Sequence, residues 1–147
     1  MWVYNGTEFT SEMIGEYLGF VYLLTDLTNG KKYIGKKKFW SKVTKAPLKG
    51  KTRKRRSVKE SDWKNYYGSS AETQALVEEF GGERFSREIL HLCETAGVMG
   101  YLELKEQMDR QVLLDDSYYN GIIQARIHRN HVKKLKKEFT NSNSCVE

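Results

Sequence analysis

Two strand-like segments joined by an Asn-Gly turn constrain this chain more than any other feature of its sequence. Residues 19–26 and 31–37 are rich in β-branched and aromatic side chains and are bounded by Gly, Asn and Asp, which is typical of strands. Asn29-Gly30 between them tolerates the positive φ angles of a tight turn. The pattern therefore predicts an antiparallel hairpin.

The hairpin fixes which side chains share a face. With a four-residue loop, Tyr22 lies opposite Gly35, and Tyr33 is its diagonal neighbour on the same face, roughly 7–8 Å away. Because Gly35 has no side chain, we expect an open polar cleft between the two phenols.

The remaining sequence predicts a small α+β domain. Periodicity and end signals indicate a helix over 71–80 that Gly81-Gly82 ends, a strand over 84–92, a helix over 98–114 and a basic helix over 122–138. The fold class is α+β, with a small three-stranded antiparallel sheet flanked by helices. The expected organisation is a loosely packed N-terminal extension 1–18, a domain over 19–121 with a basic insertion 38–62, and a basic C-terminal helix and tail 122–147.

Positive charge is concentrated in one part of the chain. The formal net charge is +6, from 25 Lys and Arg against 19 Asp and Glu. Lys and Arg crowd into 31–64, where Glu60 and Asp62 are the only acids. This distribution favours a polyanionic partner, and 41–62 is expected to be a long loop that orders on binding. Cys93 and Cys145 have no metal-site spacing, and no segment has transmembrane length, so a cytoplasmic protein without a membrane partner is expected.

A pair of phenols needs nearby cations before it can serve chemistry on phosphate. A free phenol has a pKa of about 10 and is a poor base. In the predicted hairpin Lys37 shares the tyrosine face, whereas Lys36 and Lys38 point to the other. A tyrosine pair, a basic loop and a helix-borne glutamate together form a coherent phosphodiester-cleaving site. Packing of both tyrosines in the sheet, with their hydroxyls at its rim, is the competing interpretation.

The motifs resemble one known family. Phe20-Val21-Tyr22 followed by Tyr33-Ile34-Gly35 is similar to the paired signature of the GIY-YIG nucleases. Further segments look like the phage-encoded, homing-type branch: Trp63, 66–70, 80–81, 85–90, 101–103 and 118–120. The resemblance covers roughly 19–121 and implies an α/β sandwich around a three-stranded antiparallel sheet. It also implies a DNA endonuclease that uses Mg²⁺ or Mn²⁺.

The resemblance assigns roles to individual residues. Tyr33 corresponds to the general base or water-positioning phenol, and Tyr22 to the tyrosine that binds water or phosphate beside it. Glu103 corresponds to the metal-binding glutamate, and Asn120 to an asparagine that supports the site by hydrogen bonding. Helical periodicity alone slightly prefers Glu106 over Glu103, so Glu106 stays open as the alternative metal ligand.

The catalytic cation is less clearly marked, because no arginine closely follows the second motif. Arg53, Arg55 and Arg56 in the insertion are candidates, with Arg55 slightly favoured and Lys37 as a substitute. Contacts to DNA phosphates are expected from Lys36, Lys38, Arg53, Arg56, Arg126, Arg129 and Lys133.

The expected function is a metal-dependent DNA endonuclease, either homing-type or a structure-selective nicking enzyme. One site per chain cuts one strand, so a homodimer on DNA or two encounters would be needed for a double-strand break. The competing function is a non-catalytic nucleic-acid-binding protein on the same fold, with aromatic side chains as stacking surfaces.

Overall fold

The fold is a five-stranded mixed sheet with a separate two-stranded ribbon. The computed structural model describes residues 1–144 and, within that range, all side chains except those at 55, 56 and 141–144. The sheet order is β2-β1-β7-β3-β4, and β5 pairs with β6. The strands are β1 (Trp2–Tyr4), β2 (Thr7–Glu8), β3 (Gly19–Asp26), β4 (Lys32–Lys38), β5 (Trp40–Lys45), β6 (Arg55–Glu60) and β7 (Phe85–Cys93). The α-helices are α1 (Ala71–Phe80), α2 (Ala96–Asp109) and α3 (Lys133–Ser144).

The predicted hairpin is present with the predicted register. β3 and β4 are antiparallel, Tyr22 pairs with Gly35, and residues 27–30 form the loop. The buried Asp26 carboxylate holds this loop by accepting hydrogen bonds from the Thr28 backbone N–H at 3.0 Å and from Arg84 Nε at 2.9 and 3.0 Å. The turn that sets the tyrosine register is thus anchored to the segment before β7.

The sheet is larger than the three antiparallel strands expected. β7, β3 and β4 form that antiparallel core, but β1 adds in parallel to β7 and β2 pairs with β1. The N-terminal segment does not pack loosely, because Trp2 is 1 % exposed and its indole meets the Phe20 ring edge-on at 4.9 Å. Trp2 Nε1 also donates a hydrogen bond of 2.6 Å to the Trp63 carbonyl. Burial of this indole explains why a three-residue strand persists.

The basic insertion is a β-ribbon rather than a loop. β5 and β6 pair antiparallel from Trp40 opposite Glu60 to Lys45 opposite Arg55. Its base is tied to the domain, since the Glu60 carboxylate accepts hydrogen bonds from Ser11 Oγ at 2.6 Å and Trp63 Nε1 at 2.7 Å. The long loop expected over 41–62 is therefore wrong: most of this segment forms a paired ribbon that is anchored at its base.

The helices agree with the sequence only in part. α1 has the predicted bounds and ends at Gly81, whose φ of 85° is readily adopted by glycine. α2 stops at Asp109, five residues before the predicted end at 114, because Gln111 adopts a φ of 53° and turns the chain. The predicted bounds of the last helix, 122–138, are wrong. Residues 122–128 have no regular structure and let Ile123 pack on the core, and α3 begins at Lys133 after a short 3₁₀ turn.

Two core clusters cover the two faces of the sheet. One is aromatic and is built by Trp2, Phe20, Tyr22, Phe39 and Trp63 with their neighbours. The other, beneath α2, contains Val21, Ile34, Cys93, Met99 and Val112. Among the described residues, no helix is both long and apolar enough to cross a membrane.

Candidate active site

The tyrosine pair lies on the aromatic face of the hairpin. The Tyr22 and Tyr33 ring centroids are 6.3 Å apart, with the rings inclined by 33°. Tyr22 is fully buried and Tyr33 is half-buried. The expected open cleft over Gly35 is not present, because the Tyr22 phenol fills it: a Cβ added at Gly35 would collide with Tyr22 Oη and Cζ. Gly35 is therefore needed to admit the Tyr22 ring rather than to leave a void.

Both phenols are held in the protonated form. Burial, followed by the nearby Tyr66 and Tyr33 phenols, holds the pKa of Tyr22 well above its usual value. Burial also raises the pKa of Tyr33, although a 3.0 Å hydrogen bond between Tyr33 Oη and Ser69 Oγ opposes that shift. Tyr22 Oη is buried and has no hydrogen bond of acceptable geometry to any described group, although the Tyr66 hydroxyl approaches it. A buried, unpartnered hydroxyl is costly and is frequently a sign of a missing water or ligand.

A third tyrosine, which the sequence reasoning left without a role, completes this pocket. The Tyr66 ring packs edge-on against Tyr22, with centroids 5.9 Å apart and an interplanar angle of 86°. Gly68 follows with a φ of 89°, and a Cβ added there would lie 3.4 Å from Tyr22 Oη and 3.5 Å from Tyr33 Cδ1. Ser69 then reaches Tyr33. The signal was the run 66–69, whose consecutive aromatic residues before a glycine match the family motif without revealing which residue points inward.

Lys37 brings a positive charge to the tyrosine face, as strand parity predicts. Its Nζ lies 4.3 Å from the centroid of the Tyr66 ring and 2.7 Å from an Asp62 carboxylate oxygen. The Lys37 ammonium thus forms an ion pair at the rim of the pocket. The hydrogen bond from Lys37 lowers the pKa of Asp62.

Glu103 approaches the same edge strand from α2. Its carboxylate lies 3.9 Å from Lys36 Nζ on the opposite side of β4 from the phenols. Burial raises the pKa of Glu103, and the Lys36 charge only partly offsets this. The negative charge of Glu103 is also the smallest of the causes that raise the pKa values of Tyr22 and Tyr33.

Glu106, the alternative metal ligand, is committed to other partners. It receives a hydrogen bond of 2.9 Å from Arg110 Nε and lies 2.8 Å from His91 Nε2. Burial opposes its ionisation, but these two hydrogen bonds lower the pKa of Glu106. Of the two glutamates, Glu103 is the one beside the strand that carries Tyr33.

Asn120 is buried against the same strand. Its Oδ1 accepts a 3.0 Å hydrogen bond from the Ile34 N–H, and its Nδ2 donates one of 2.9 Å to the Ile34 carbonyl. The amide thereby takes the place of a neighbouring strand at the outer edge of β4. Ile34 lies between Tyr33 and Gly35, so Asn120 is well placed to fix the backbone of the second motif.

Among the arginine candidates of the insertion, Arg53 alone has a described side chain. The side chains of Arg55 and Arg56 lie outside the described residues, and Arg53 is exposed in the ribbon loop. Arg87 is a buried cation on the tyrosine side of β7, but it donates hydrogen bonds to the carbonyls of Lys64 and Tyr66 at 2.8 and 3.0 Å. Its guanidinium is structural, which agrees with its position in a strand.

The residues expected to contact DNA are spread over two surfaces. Lys36 and Lys38 project from the end of β4, whereas Arg126, Arg129 and Lys133 are exposed in the C-terminal region. Next to the second group, Lys134 forms an ion pair of 2.6 Å with Glu94, which lies between β7 and α2.

The donor set fits a hard divalent cation held by few protein ligands. In the part of the chain that is described, no three His, Cys, Asp or Glu residues cluster as a metal cage. Glu103 offers a half-buried carboxylate next to β4, the strand that carries Tyr33. Mg²⁺ retains several waters and accepts one or two carboxylates plus substrate phosphate oxygens, so a single glutamate is compatible with it.

This arrangement around a tyrosine-bearing hairpin is the one that the sequence motifs predict for the GIY-YIG class of nuclease domains. The family described as "Putative endonuclease segE, GIY-YIG domain" matches residues 2–123, and the chain therefore belongs to that family. The match includes strand β1, which the motifs had left outside the domain. No curated protein and no solved structure matches the chain.

Proposed function

We propose that this GIY-YIG domain is a divalent-metal-dependent DNA endonuclease that hydrolyses a phosphodiester bond. The observation that carries the proposal is the Tyr22–Tyr33 pair, whose ring centroids are 6.3 Å apart on the face that also carries Lys37, with Glu103 reaching the same edge strand from α2. These groups could meet the needs of hydrolysis: a positioned water, positive charge for the phosphorane and a metal ligand.

Tyr33 is assigned to the attacking water. Its raised pKa disfavours a phenolate, so the phenol acts as a neutral hydrogen-bonding group. If Tyr33 is the donor in its hydrogen bond with Ser69 Oγ, a lone pair on Tyr33 Oη is free to accept a hydrogen bond from water. The unpartnered Tyr22 Oη supports a second polar contact to that water or to a phosphate oxygen.

Glu103 is assigned to the metal, as Mg²⁺ or Mn²⁺. Bound there, the cation would neutralise charge on the phosphate oxygens. When no cation is bound, Lys36 balances the charge of Glu103. Lys37, together with Arg55, is assigned to the phosphate on the tyrosine face. Asn120 is a positioning residue that holds Ile34 and hence Tyr33.

In this proposal, DNA is held by Lys36 and Lys38 of β4 and by Arg53, Arg56, Arg126, Arg129 and Lys133. The homing-type or structure-selective role and a homodimer that cuts both strands also belong to the proposal. Each site acts on one strand, so nicking precedes linearisation unless two copies bind together.

Cleavage of supercoiled plasmid and of branched DNA with Mg²⁺ tests the function. Wild type is expected to nick. Tyr33→Phe is expected to slow cleavage by about 10²–10³-fold, the range for loss of one positioned hydrogen-bonding group. Glu103→Ala is expected to slow it as well, because the metal loses its carboxylate ligand. Glu106→Gln is the matched control on the same helix and keeps the wild-type rate per folded molecule. Circular dichroism establishes the folded fraction of each variant.

Two outcomes contradict the assignment. Salt-dependent binding by wild type without any cleavage would identify a non-catalytic nucleic-acid-binding protein. Loss of cleavage in Glu106→Gln with normal cleavage in Glu103→Ala would move the metal ligand to the other glutamate.

A further inference from the structure

An open groove of about 590 Å³ lies where the end of β4 meets the base of the ribbon. Its volume falls within the roughly 300–1,000 Å³ typical of ligand sites. Lys36 and Lys37 line both this groove and the candidate active site, so the two are contiguous. Trp40, Lys42 and Val58 of the ribbon also line the groove.

The charge of the groove is positive and partly uncompensated. Lys38 and Lys42 line it and are exposed, and neither makes an ion pair with a described residue. Glu60 pairs with Trp40 across the ribbon, but its carboxylate is directed to Ser11 and Trp63 instead. No carboxylate lines the groove within the described chain, which suits a phosphate-bearing ligand.

The same groove displays apolar surface. Lys42 pairs with Val58 and Trp40 pairs with Glu60, so Trp40 and Val58 are diagonal neighbours on one face of the ribbon. Trp40 is 38 % exposed and Val58 is 63 % exposed, whereas Trp2 and Trp63 are each 1 % exposed. An exposed indole between unpaired lysines combines a stacking platform with phosphate-binding charge.

We infer that this groove binds an unpaired nucleotide of the DNA substrate, with its base stacked on Trp40 and its phosphates on Lys38 and Lys42. A paired and stacked base offers only its edges in the grooves of the duplex, so an indole in a concave site cannot stack on it. The groove therefore selects DNA that is gapped, branched or locally melted beside the scissile phosphate. This inference rests on the proposed nuclease function for the position of that phosphate.

Because Trp40 is exposed and the other two tryptophans are buried, tryptophan fluorescence can report the stacking of a base in the groove. Without divalent metal, in about 0.1 M salt, wild type is titrated with a duplex carrying an internal bubble that contains 2-aminopurine, and with its fully paired counterpart. Base stacking is expected to quench the emission of exposed Trp40 on the bubble but not on the duplex, while buried Trp2 and Trp63 are unaffected. In Trp40→Phe this DNA-dependent quenching disappears.

Affinities measured by anisotropy of end-labelled DNA test the contacts. Trp40→Ala weakens binding to the bubble roughly tenfold with little change for the duplex, and Trp40→Phe retains most of the preference because its ring still stacks. Lys42→Gln lowers the slope of log affinity against log salt by about one phosphate contact. Lys59→Gln, on the opposite face of the same ribbon, leaves the slope for the bubble unchanged.

Two results would overturn the inference: an unchanged bubble-to-duplex ratio in Trp40→Ala, or equal effects of the Lys42 and Lys59 substitutions. Because these measurements contain no metal, they are independent of cleavage. If Trp40→Ala nicks plasmid and still prefers the bubble to the duplex, the nuclease function holds and the groove proposal fails. If wild type never cuts DNA but Trp40→Ala loses the preference for the bubble, the nuclease function fails and the groove proposal holds.

Discussion

Removal of the Asn120 side chain tests whether one amide holds the second tyrosine motif in place. In Asn120→Ala the Ile34 N–H loses its 3.0 Å acceptor inside the core, and Ile34 is 0 % exposed. The Ile34 carbonyl still has a 3.4 Å contact from Gln107 Nε2, so one orphaned group sets the magnitude. A buried donor without a partner costs about 1–3 kcal/mol. At about 2–4 °C per kcal/mol, the melting temperature falls by about 2–12 °C.

Two measurements check this expectation. Thermal and urea unfolding give the loss in free energy of unfolding. Hydrogen exchange of the Ile34 amide gives the local effect, and the amide should exchange roughly 5- to 150-fold faster for the same free energy. The rate of plasmid nicking is expected to fall by more than the folded fraction, because Tyr33 is adjacent to the loosened residue.

Asn120→Asp separates the two hydrogen bonds. The carboxylate can still accept from the Ile34 N–H, but its second oxygen faces the Ile34 carbonyl and repels it. That environment raises the folded-state pKa of the new acid. The loss in free energy of unfolding relative to wild type is therefore smallest below about pH 4 and grows as the pH rises through the folded pKa. The exposed Asn65→Ala is the matched control and leaves the melting temperature unchanged. If Asn120→Ala keeps the wild-type free energy of unfolding and the wild-type exchange rate of the Ile34 amide, then the Asn120 amide does not hold the second tyrosine motif in place.

Two further perturbations test the hairpin itself. Gly35→Ala forces its methyl group into the Tyr22 phenol, which should cost about 1–3 kcal/mol in unfolding experiments and abolish nicking. Adding Tyr22→Phe should recover part of that stability, and Gly121→Ala, whose Cβ would meet nothing within 4 Å, is the neutral control; equal losses at both glycines would contradict the steric argument. Burial opposes ionisation of Asp26, but hydrogen bonds and charge from Arg84 lower its pKa. This stabilisation is therefore complete above about pH 4 and is lost as the pH falls through the depressed folded value. Asp26→Asn should flatten the acid limb of melting temperature against pH, and an unaltered limb would show that the ion pair does not contribute.

The hairpin was predictable because its information is local. Asn29-Gly30 specifies the turn, and the period-two pattern then fixes that Tyr22, Tyr33 and Lys37 share a face. Helix α1 was equally local, since Gly81 ends it wherever the rest of the chain lies. The family match bears out the resemblance drawn from the motifs.

The elements that were missed depend on distant partners. The three residues of β1 are too few to announce a strand, and they form one because β7 is available beside them. The ribbon was hidden by its lysines, whose charge resembles that of a disordered segment. The prediction of an open space over Gly35 was wrong. The alternation of side chains along a strand gives the face on which a ring lies but not its rotamer, and the Tyr22 ring packs directly over the glycine. The inward direction of Tyr66 likewise depends on the turn at Gly68.

The parallel pairing of β1 with β7 has a consequence for the order of folding. Residues 2–4 find their hydrogen-bond partners at residues 87–89, so the chain must be made past β7 before the sheet can close. Contacts of such long sequence separation are slow to form. Until then the Trp2 indole, later one of the most buried side chains, is exposed in the nascent chain. A growing copy of this protein thus carries the hairpin from an early stage but becomes a complete domain only after more than half of its sequence has emerged.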